Sequence, residues 1–414
     1  MNAQYHQPRG LRSAKCLGRW LAILPLALTF LPGAAFGLGS AIPNQNAEAI
    51  ARGNAFIATA DNPSAIYYNP AGITQLDGTR MEFGLHNLAI NSQFETLDGS
   101  RTAHSEFAIA SVPQFYATMT PKESDFSFGV GLYAPFGLGV KWPTNTPFNT
   151  IALESKLLYV TFNPVVAWKA LPNLSIAVGP TVDYGKVTLR QSIGLSPGDE
   201  FIFEGTGWDF GGTFGLLWKP FDQWSVGINY RTPGSTTFDG HSRPKPYAAE
   251  EHTSATLNFP QSVGAGIAFR PNEQWNIETY LIWTDWDTLK TTTLEKKSGN
   301  IVVPFNWQSS FMTGIGATRY LNSGYFVSGG YFFSQNSTST KNFTPLVPDT
   351  DLHVGSVGFG HKGEHWSYVF SGQIITGPDR VVSGSAGNPS TGQTADGKYH
   401  WLNAALNVSV GYRF

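Results

Sequence analysis

The sequence predicts an all-β transmembrane protein: a fourteen-stranded antiparallel outer-membrane barrel with an N-terminal hatch in its lumen. Three observations predict it. Apolar and small polar residues alternate at period two. Six short polar turns recur, most of them flanked by aromatics. Charge is scarce: 14% of residues are charged and 14% aromatic, with 45 Gly, 12 Trp, 16 Tyr and 29 Phe. A soluble domain carries about 25% charged residues, and mean hydropathy is only −0.15. A net charge of −2 gives no reason to expect a nucleic-acid partner.

The chain opens with an export signal. Arg9, Arg12, Lys15 and Arg19 precede an apolar run from Trp20 to Leu31, too short and wrongly flanked to span a membrane as a helix. Cleavage after Ala35 or Gly37 fits the small residues there, so residues 1–37 are expected to be removed. Cys16, the single cysteine, goes with them, leaving no thiol, disulfide or cysteine metal site. No metal and no cofactor is expected.

Residues 38–78 cannot form a strand. Asn62-Pro63 and Asn69-Pro70 stand seven residues apart around a small-aromatic run. Asn-Pro initiates turns, and the residue before proline is pushed out of the helical region.

Strands follow over residues 79–414. The last is clearest: Leu402, Ala404, Leu406, Val408, Val410, Tyr412 and Phe414 share one parity, with Asn, Ser, Gly, Ala and Arg on the other. Such alternation sends one face to lipid and one to a polar lumen. A terminal aromatic, Phe414, suits recognition by the barrel assembly machinery. Trp208, Phe210, Phe214, Leu216 and Trp218 repeat the pattern, as do Trp224, Val226, Ile228 and Tyr230, and Val263 to Phe269. Small lumen-side partners let bulky contents approach closely.

Short turns fall at Pro121–Asp125, Leu171–Asn173, Pro220–Gln223, Pro271–Gln274, Leu321–Gly324 and Lys362–Glu364. Each joins two strands. One strand before the first pair and one after the last bring the total to fourteen, with both ends periplasmic. Long Ser/Thr/Pro/Gly-rich stretches such as Thr232–Ser254 and Gly377–Lys398 are expected as extracellular loops. A barrel this wide must be an open channel or hold a plug, and residues 38–78 are the candidate.

These residues resemble the FadL/TodX (OmpP1) family, which carries long-chain fatty acids and hydrocarbons across bacterial outer membranes. The resemblance covers nearly all of the mature chain. It rests on Asn62-Pro63-Ser64-Ala65 with Asn69-Pro70-Ala71-Gly72, and on the third-strand run Gly129–Gly139. Gly227–Thr232, Trp283–Trp286 and Val347-Pro348-Asp349 are further similar pieces. The resemblance implies a hatch of Asn62, Pro63, Asn69, Pro70 and Ala71, whose Asn-Pro-Ala segment lies against a lateral opening at Pro135, Phe136 and Gly137. It implies passive, monomeric transport: capture at extracellular loops, then sideways diffusion through the wall into outer-membrane lipid. Trp142, Phe148, Ile151, Leu153 and Leu157, after the third strand, are capture candidates. Arg190 is the candidate for a fatty-acid carboxylate, though a one-residue offset would turn its side chain to the other face. Uncharged hydrocarbons by the same route, or a general porin, are the alternatives. The histidines lack nucleophile or metal spacing, so no enzyme is expected.

Overall fold

The computed structural model describes residues 39–414; the expected signal, residues 1–37, and Cys16 lie outside the described residues. Fourteen antiparallel strands close into a barrel. In order they are β1 (Gly78–Ile90), β2 (Ala108–Thr120), β3 (Phe126–Lys141), β4 (Glu154–Leu171), β5 (Leu174–Gln191) and β6 (Glu200–Phe221). Then come β7 (Trp224–Arg231, continued by Gly234–Lys245), β8 (Glu251–Phe259 and Ser262–Asn272), β9 (Trp275–Thr284 and Thr291–Lys296) and β10 (Ile301–Pro304 and Ser310–Tyr320). The last are β11 (Tyr325–Ser334), β12 (Leu352–Lys362), β13 (Trp366–Thr376) and β14 (Gly397–Arg413). Neighbours pair in chain order, and β1 closes on β14 from Arg80–Arg413 to Ala89–Ala404. All six short turns separate strands as the sequence predicts.

The core is inverted relative to a soluble sandwich. On β14, Leu402 and Leu406 are 69% and 73% exposed, while Asn403 and Asn407 are buried. Trp208, Phe210, Phe214 and Trp218 likewise point outward. Aromatic pairs mark the short-turn rim: Phe126 stacks near Trp168 at 6.1 Å and Trp224 on Phe269 at 4.5 Å.

One expectation is corrected. Thr232–Ser254 is not an irregular loop, because β7 and β8 continue their pairing from Gly234–Phe259 to Ser242–Glu251. Thr and Ser on a paired hairpin outside the membrane satisfy the same alternation with polar residues on both faces, so their polarity alone did not distinguish strand from loop.

Inside the barrel, the chain before Gly78 forms a small, almost wholly buried body: α1 (Ala47–Ala51), α2 (Ala65–Tyr68) and a 3₁₀ turn, Pro70–Gln75. Asn46 caps α1, its Oδ1 accepting from the Glu48 and Ala49 amides. The Asn62 Oδ1 accepts from the Ser64 amide at 2.9 Å, and the Asn69 Oδ1 from the Ala71 amide at 3.2 Å. These are the Asx turns that make Asn-Pro a stop signal.

The wall makes room for this backbone. A Cβ on Gly227 would lie 2.1 Å from the Ile57 carbonyl oxygen, and one on Gly316 would lie 2.0 Å from that of Arg52. The wall also supplies partners. Glu278 of β9 accepts from the Ala58 and Thr59 amides at 2.9 and 2.8 Å. Asp61 meets Arg270 at 2.8 Å, and Glu48 meets Lys362 at 2.8 Å. Burial alone would raise the Asp61 carboxyl, but Lys362, Arg270 and Arg52 outweigh it and hold the group well below the usual carboxylate range.

Candidate lateral window and lumen site

β2 and β3 part company midway along their length. They pair only from Phe115–Leu132 to Met119–Phe128. Above that, Ala108–Gln114 pair with β1 alone, and β3 pairs with β4 alone. The strands meet again where the Glu106 amide donates to the Lys141 carbonyl at 2.8 Å and the two side chains form an ion pair at 2.6 Å. The result is a window with defined upper and lower edges.

Sequence explains both edges. The β3–β4 register breaks between Tyr133 and Phe136, at Ala134-Pro135. Pro113 stands on the facing edge of β2. Proline has no N–H to leave unsatisfied on an unpaired edge. Of the expected Pro135, Phe136 and Gly137, the irregularity includes Pro135, while Phe136 and Gly137 have already resumed pairing with Tyr159 and Leu158.

The segment behind the window is Ser40–Gln45. The Ile42 amide donates to the Pro135 carbonyl at 2.7 Å, and the Gly137 amide to the Ser40 carbonyl at 2.8 Å. Gln45 Nε2 donates to the Ala134 carbonyl at 2.7 Å. The Ile42 side chain is buried between Val112 of β2 and Ala134 of β3. This corrects the expected place of Asn69-Pro70-Ala71. That segment lies against β6: Asn69 Nδ2 donates to the Leu216 carbonyl at 2.9 Å, and Asn69 Oδ1 crowds the missing Cβ of Gly215. Asn-Pro turns pack on small wall residues, whereas an unpaired strand edge needs an extended backbone, and Ser40–Gln45 supplies one.

Two spaces lie above the hatch. The outer one, 590 Å³, is lined mainly by apolar side chains, among them Leu157, Phe203, Phe238, Trp286, Leu289 and Phe305. The inner one, 120 Å³, is lined by Ala41, Tyr67, Tyr133, Asp183, Arg231 and others. Phe136 stands where they meet, 4.8 Å from Phe259 and 5.5 Å from Tyr159, ring to ring.

Of the capture candidates, Ile151 and Leu157 line the outer space. Trp142 and Phe148 do not. They are buried in a loop core with Phe94 and Tyr399, and the Trp142 Nε1 donates to the Pro345 carbonyl at 2.9 Å. Leu153 is buried in the backbone ladder beside them, its amide bonded to the Arg190 carbonyl. Large aromatics in polar loops build the lid that covers the cavity. Arg190 does border the outer space, but its guanidinium holds Glu154 at 2.7 Å and Glu200 at 2.7 Å. Lys156, beside it, also sits on Glu154 at 2.5 Å.

Sequence reasoning missed Ile42, Val112, Pro113 and Arg231. Two signals were available. Pro113 mirrors Pro135 across adjacent strands. Arg231 falls on the lumen parity of β7, opposite Trp224, Val226, Ile228 and Tyr230.

A sequence model of the family described as outer membrane protein transport protein (OMPP1/FadL/TodX) matches residues 28–369. An outer membrane protein of Neisseria meningitidis serogroup B is 19% identical over 383 residues, spanning 78% of this chain and 82% of that protein. The crystal structure of a Pseudomonas aeruginosa FadL homologue superposes with a TM-score of 0.82 at 16% identity, covering 91% of this chain and 100% of that one. The Ralstonia pickettii toluene transporter TbuX gives a TM-score of 0.68 at 16% identity, covering 89% and 98%.

Proposed function

For a chain that belongs to the OMPP1/FadL/TodX family of outer membrane transport proteins, we propose passive uptake of hydrophobic molecules, long-chain fatty acids foremost, with exit through the wall between β2 and β3. The observation that carries this reading is a wall window stoppered by the N-terminal segment. The apolar outer space collects ligand from the loops. Each methylene buried there gains about 0.8 kcal/mol. Phe136 divides that space from the inner one, and Ser40–Pro43 stands beside both and behind the window. Displacing that segment joins cavity to bilayer without sending an acyl chain through water.

The family and the barrel fold support passive transport over an enzyme. A general porin is disfavoured because the hatch occupies the lumen on many wall contacts. Uptake of uncharged hydrocarbons by the same route is a second reading, favoured by the neutralised Arg190 cluster at the entrance. Monomeric function and insertion through Phe414 are part of the proposal.

The test is mass spectrometry of what copurifies in the barrel, with uptake of labelled oleate and toluene by cells that depend on this protein. Enrichment of either class with saturable uptake supports the reading. Rapid swelling of liposomes in small sugars, with no bound apolar ligand, would sink it in favour of a porin.

A further inference from the structure

Two segments frame the mouth of the outer space. Lys156 lines that space from the outward parity of β4, with its ammonium on Glu154. The other exposed residues among its lining fall in two places. Val302 and Pro304 belong to the hairpin that joins β9 to β10, a ladder running from Thr291–Pro304 to Leu294–Ile301. Ala386, Gly387 and Pro389 belong to the loop between β13 and β14. The loop after β3 is shut instead, by the core that buries Trp142 and Phe148.

The two lips are held differently. The hairpin is a backbone ladder. From Ala386 to Thr394 the other lip contains no buried residue, although both its flanks, Ser385 and Ala395, are buried. Its hold on the lid is a latch of neutral groups. Gln393 Oε1 accepts from the Thr150 amide and hydroxyl, both at 2.9 Å, and Gln393 Nε2 donates to Asn149 Oδ1 at 3.0 Å. Asn388 Nδ2 donates to the Thr150 carbonyl at 3.2 Å, and the Thr150 and Thr391 hydroxyls meet at 2.8 Å. The methyl groups of these two threonines close over Gly194, where a Cβ would lie 2.9 and 2.8 Å from them. The Ala386 amide adds one bond to the Lys341 carbonyl at 2.7 Å. At the root, Ser385 Oγ donates to Asp396 at 2.5 Å and accepts from the Ala395 amide at 3.1 Å.

We infer that ligand enters the outer space between these lips, and that Ala386–Thr394 is the lip that moves, swinging on Ser385 and Ala395 when the Thr150–Gln393 latch opens. The inference rests on reading the outer space as the ligand's first compartment. A segment with no buried apolar contact opens locally at a small fraction of the global unfolding cost. Its neutral hydrogen bonds exchange for bonds to water with little net loss. Peeling back the hairpin breaks a cooperative ladder instead. Parting the Trp142–Phe148 core exposes large apolar surfaces. The weakest attachment around the mouth is therefore the latch. Val302, Pro304 and Pro389 stand at its edges, where an alkyl chain meets apolar surface on both sides before it passes beneath the lip.

The experiment fixes the latch and then removes it. The touching hydroxyls of Thr150 and Thr391 mark positions that a disulfide can join. With Thr150→Cys and Thr391→Cys oxidised, oleate uptake by cells that depend on this protein falls at least ~10-fold, as for a lid held shut, and returns on reduction. Gln393→Ala frees the lip: initial oleate uptake rises severalfold, and hydrogen exchange speeds up at the Ala386 amide, which bonds Lys341 rather than the latch. Uptake untouched by oxidation overturns the inference. So does Gln393→Ala that slows uptake, because the latch then builds the entrance instead of barring it. If the reduced cysteine pair is already slow, Gln393→Ala decides alone, and any rate not above wild type overturns the moving lip. Wild-type cells that take up neither oleate nor toluene defeat the transport reading itself, and the lip falls with it.

Discussion

Four seams of this wall can be set side by side. β5 and β6 pair without a break from Leu174–Trp218 to Gln191–Phe201. β6 and β7 are interrupted above Thr213–Arg231, but the strands mend the gap themselves. The Thr232 amide donates to the Gly212 carbonyl at 3.0 Å, and the Ser235 amide to Asp209 Oδ2 at 2.5 Å. At β2–β3 the mending group comes from outside the wall, from Ser40–Gln45. The difference teaches that a break alone does not make a gate. Pro164 and Pro180 also interrupt pairing, between β4 and β5, and Asn163 Nδ2 bridges them to the Pro180 carbonyl at 2.9 Å. A gate needs an edge whose partner can leave.

The largest expected effect comes from breaking the plug as a whole. Gly227→Val puts side-chain atoms onto the Ile57 backbone. The wall still assembles, since the strand gains a β-branched residue, but the hatch is displaced. Sugar-driven liposome swelling should rise more than tenfold over wild type; wild-type swelling would mean that the hatch tolerates the clash.

Next is the stopper alone. Ile42→Ala removes a buried side chain whose truncation in a core costs about 2–5 kcal/mol. Uptake of hydrophobic ligand should rise severalfold, with little change in swelling, because the rest of the hatch stays seated. A matching truncation beyond the window, Val178→Ala on the exposed face of the unbroken β5–β6 seam, should change neither.

Asp61→Asn weakens the anchor at the periplasmic floor. The Asp61–Arg270 pair is worth about 1–3 kcal/mol, less than a fully buried pair because the arginine side chain is 41% exposed. Swelling should rise a few-fold. With its carboxyl held below the usual range, the wild-type anchor contributes fully above the group's ordinary pKa, near 4, and is lost only as pH falls well below it.

The smallest effect concerns the loop between β11 and β12. Burial pushes the Asp349 carboxyl up to about 6 from its ordinary 3.8, against opposing hydrogen bonds from Ser337 and the Gly39 amide. A raised carboxyl favours the fold while protonated. Stability of this loop therefore declines as pH rises from about 4 to 6 and is flat above, by at most about 3 kcal/mol. Hydrogen exchange at Val347, whose amide donates to the Thr344 carbonyl at 3.0 Å in the same loop, should, corrected for intrinsic rate, speed up over that range in wild type and not in Asp349→Asn.

The barrel was legible because its signals are local. Turn positions, parity and aromatic rims follow from period two and from chain reversals, and each appears within about ten residues of sequence. The hatch was legible only as something unable to be a strand. Which part of it meets the window was not, because Ser40–Gln45 carries no motif and gains its role from pairing with residues some ninety positions away. Trp142 and Phe148 misled for the opposite reason: an apolar residue in an extracellular loop looks the same whether it faces ligand or builds the lid. Arg190 could be found by position, but its neutralisation by Glu154 and Glu200 is a tertiary fact.

The most direct test locks the stopper to the wall. Ile42→Cys with Ala134→Cys joins two side chains that pack together in the window, and Val178→Cys with Phe214→Cys joins two paired positions on the unbroken seam. Oleate and toluene uptake should fall at least tenfold when the first pair is oxidised and return on reduction, while the second pair leaves it unchanged. Undiminished uptake with the window locked would contradict the lateral exit.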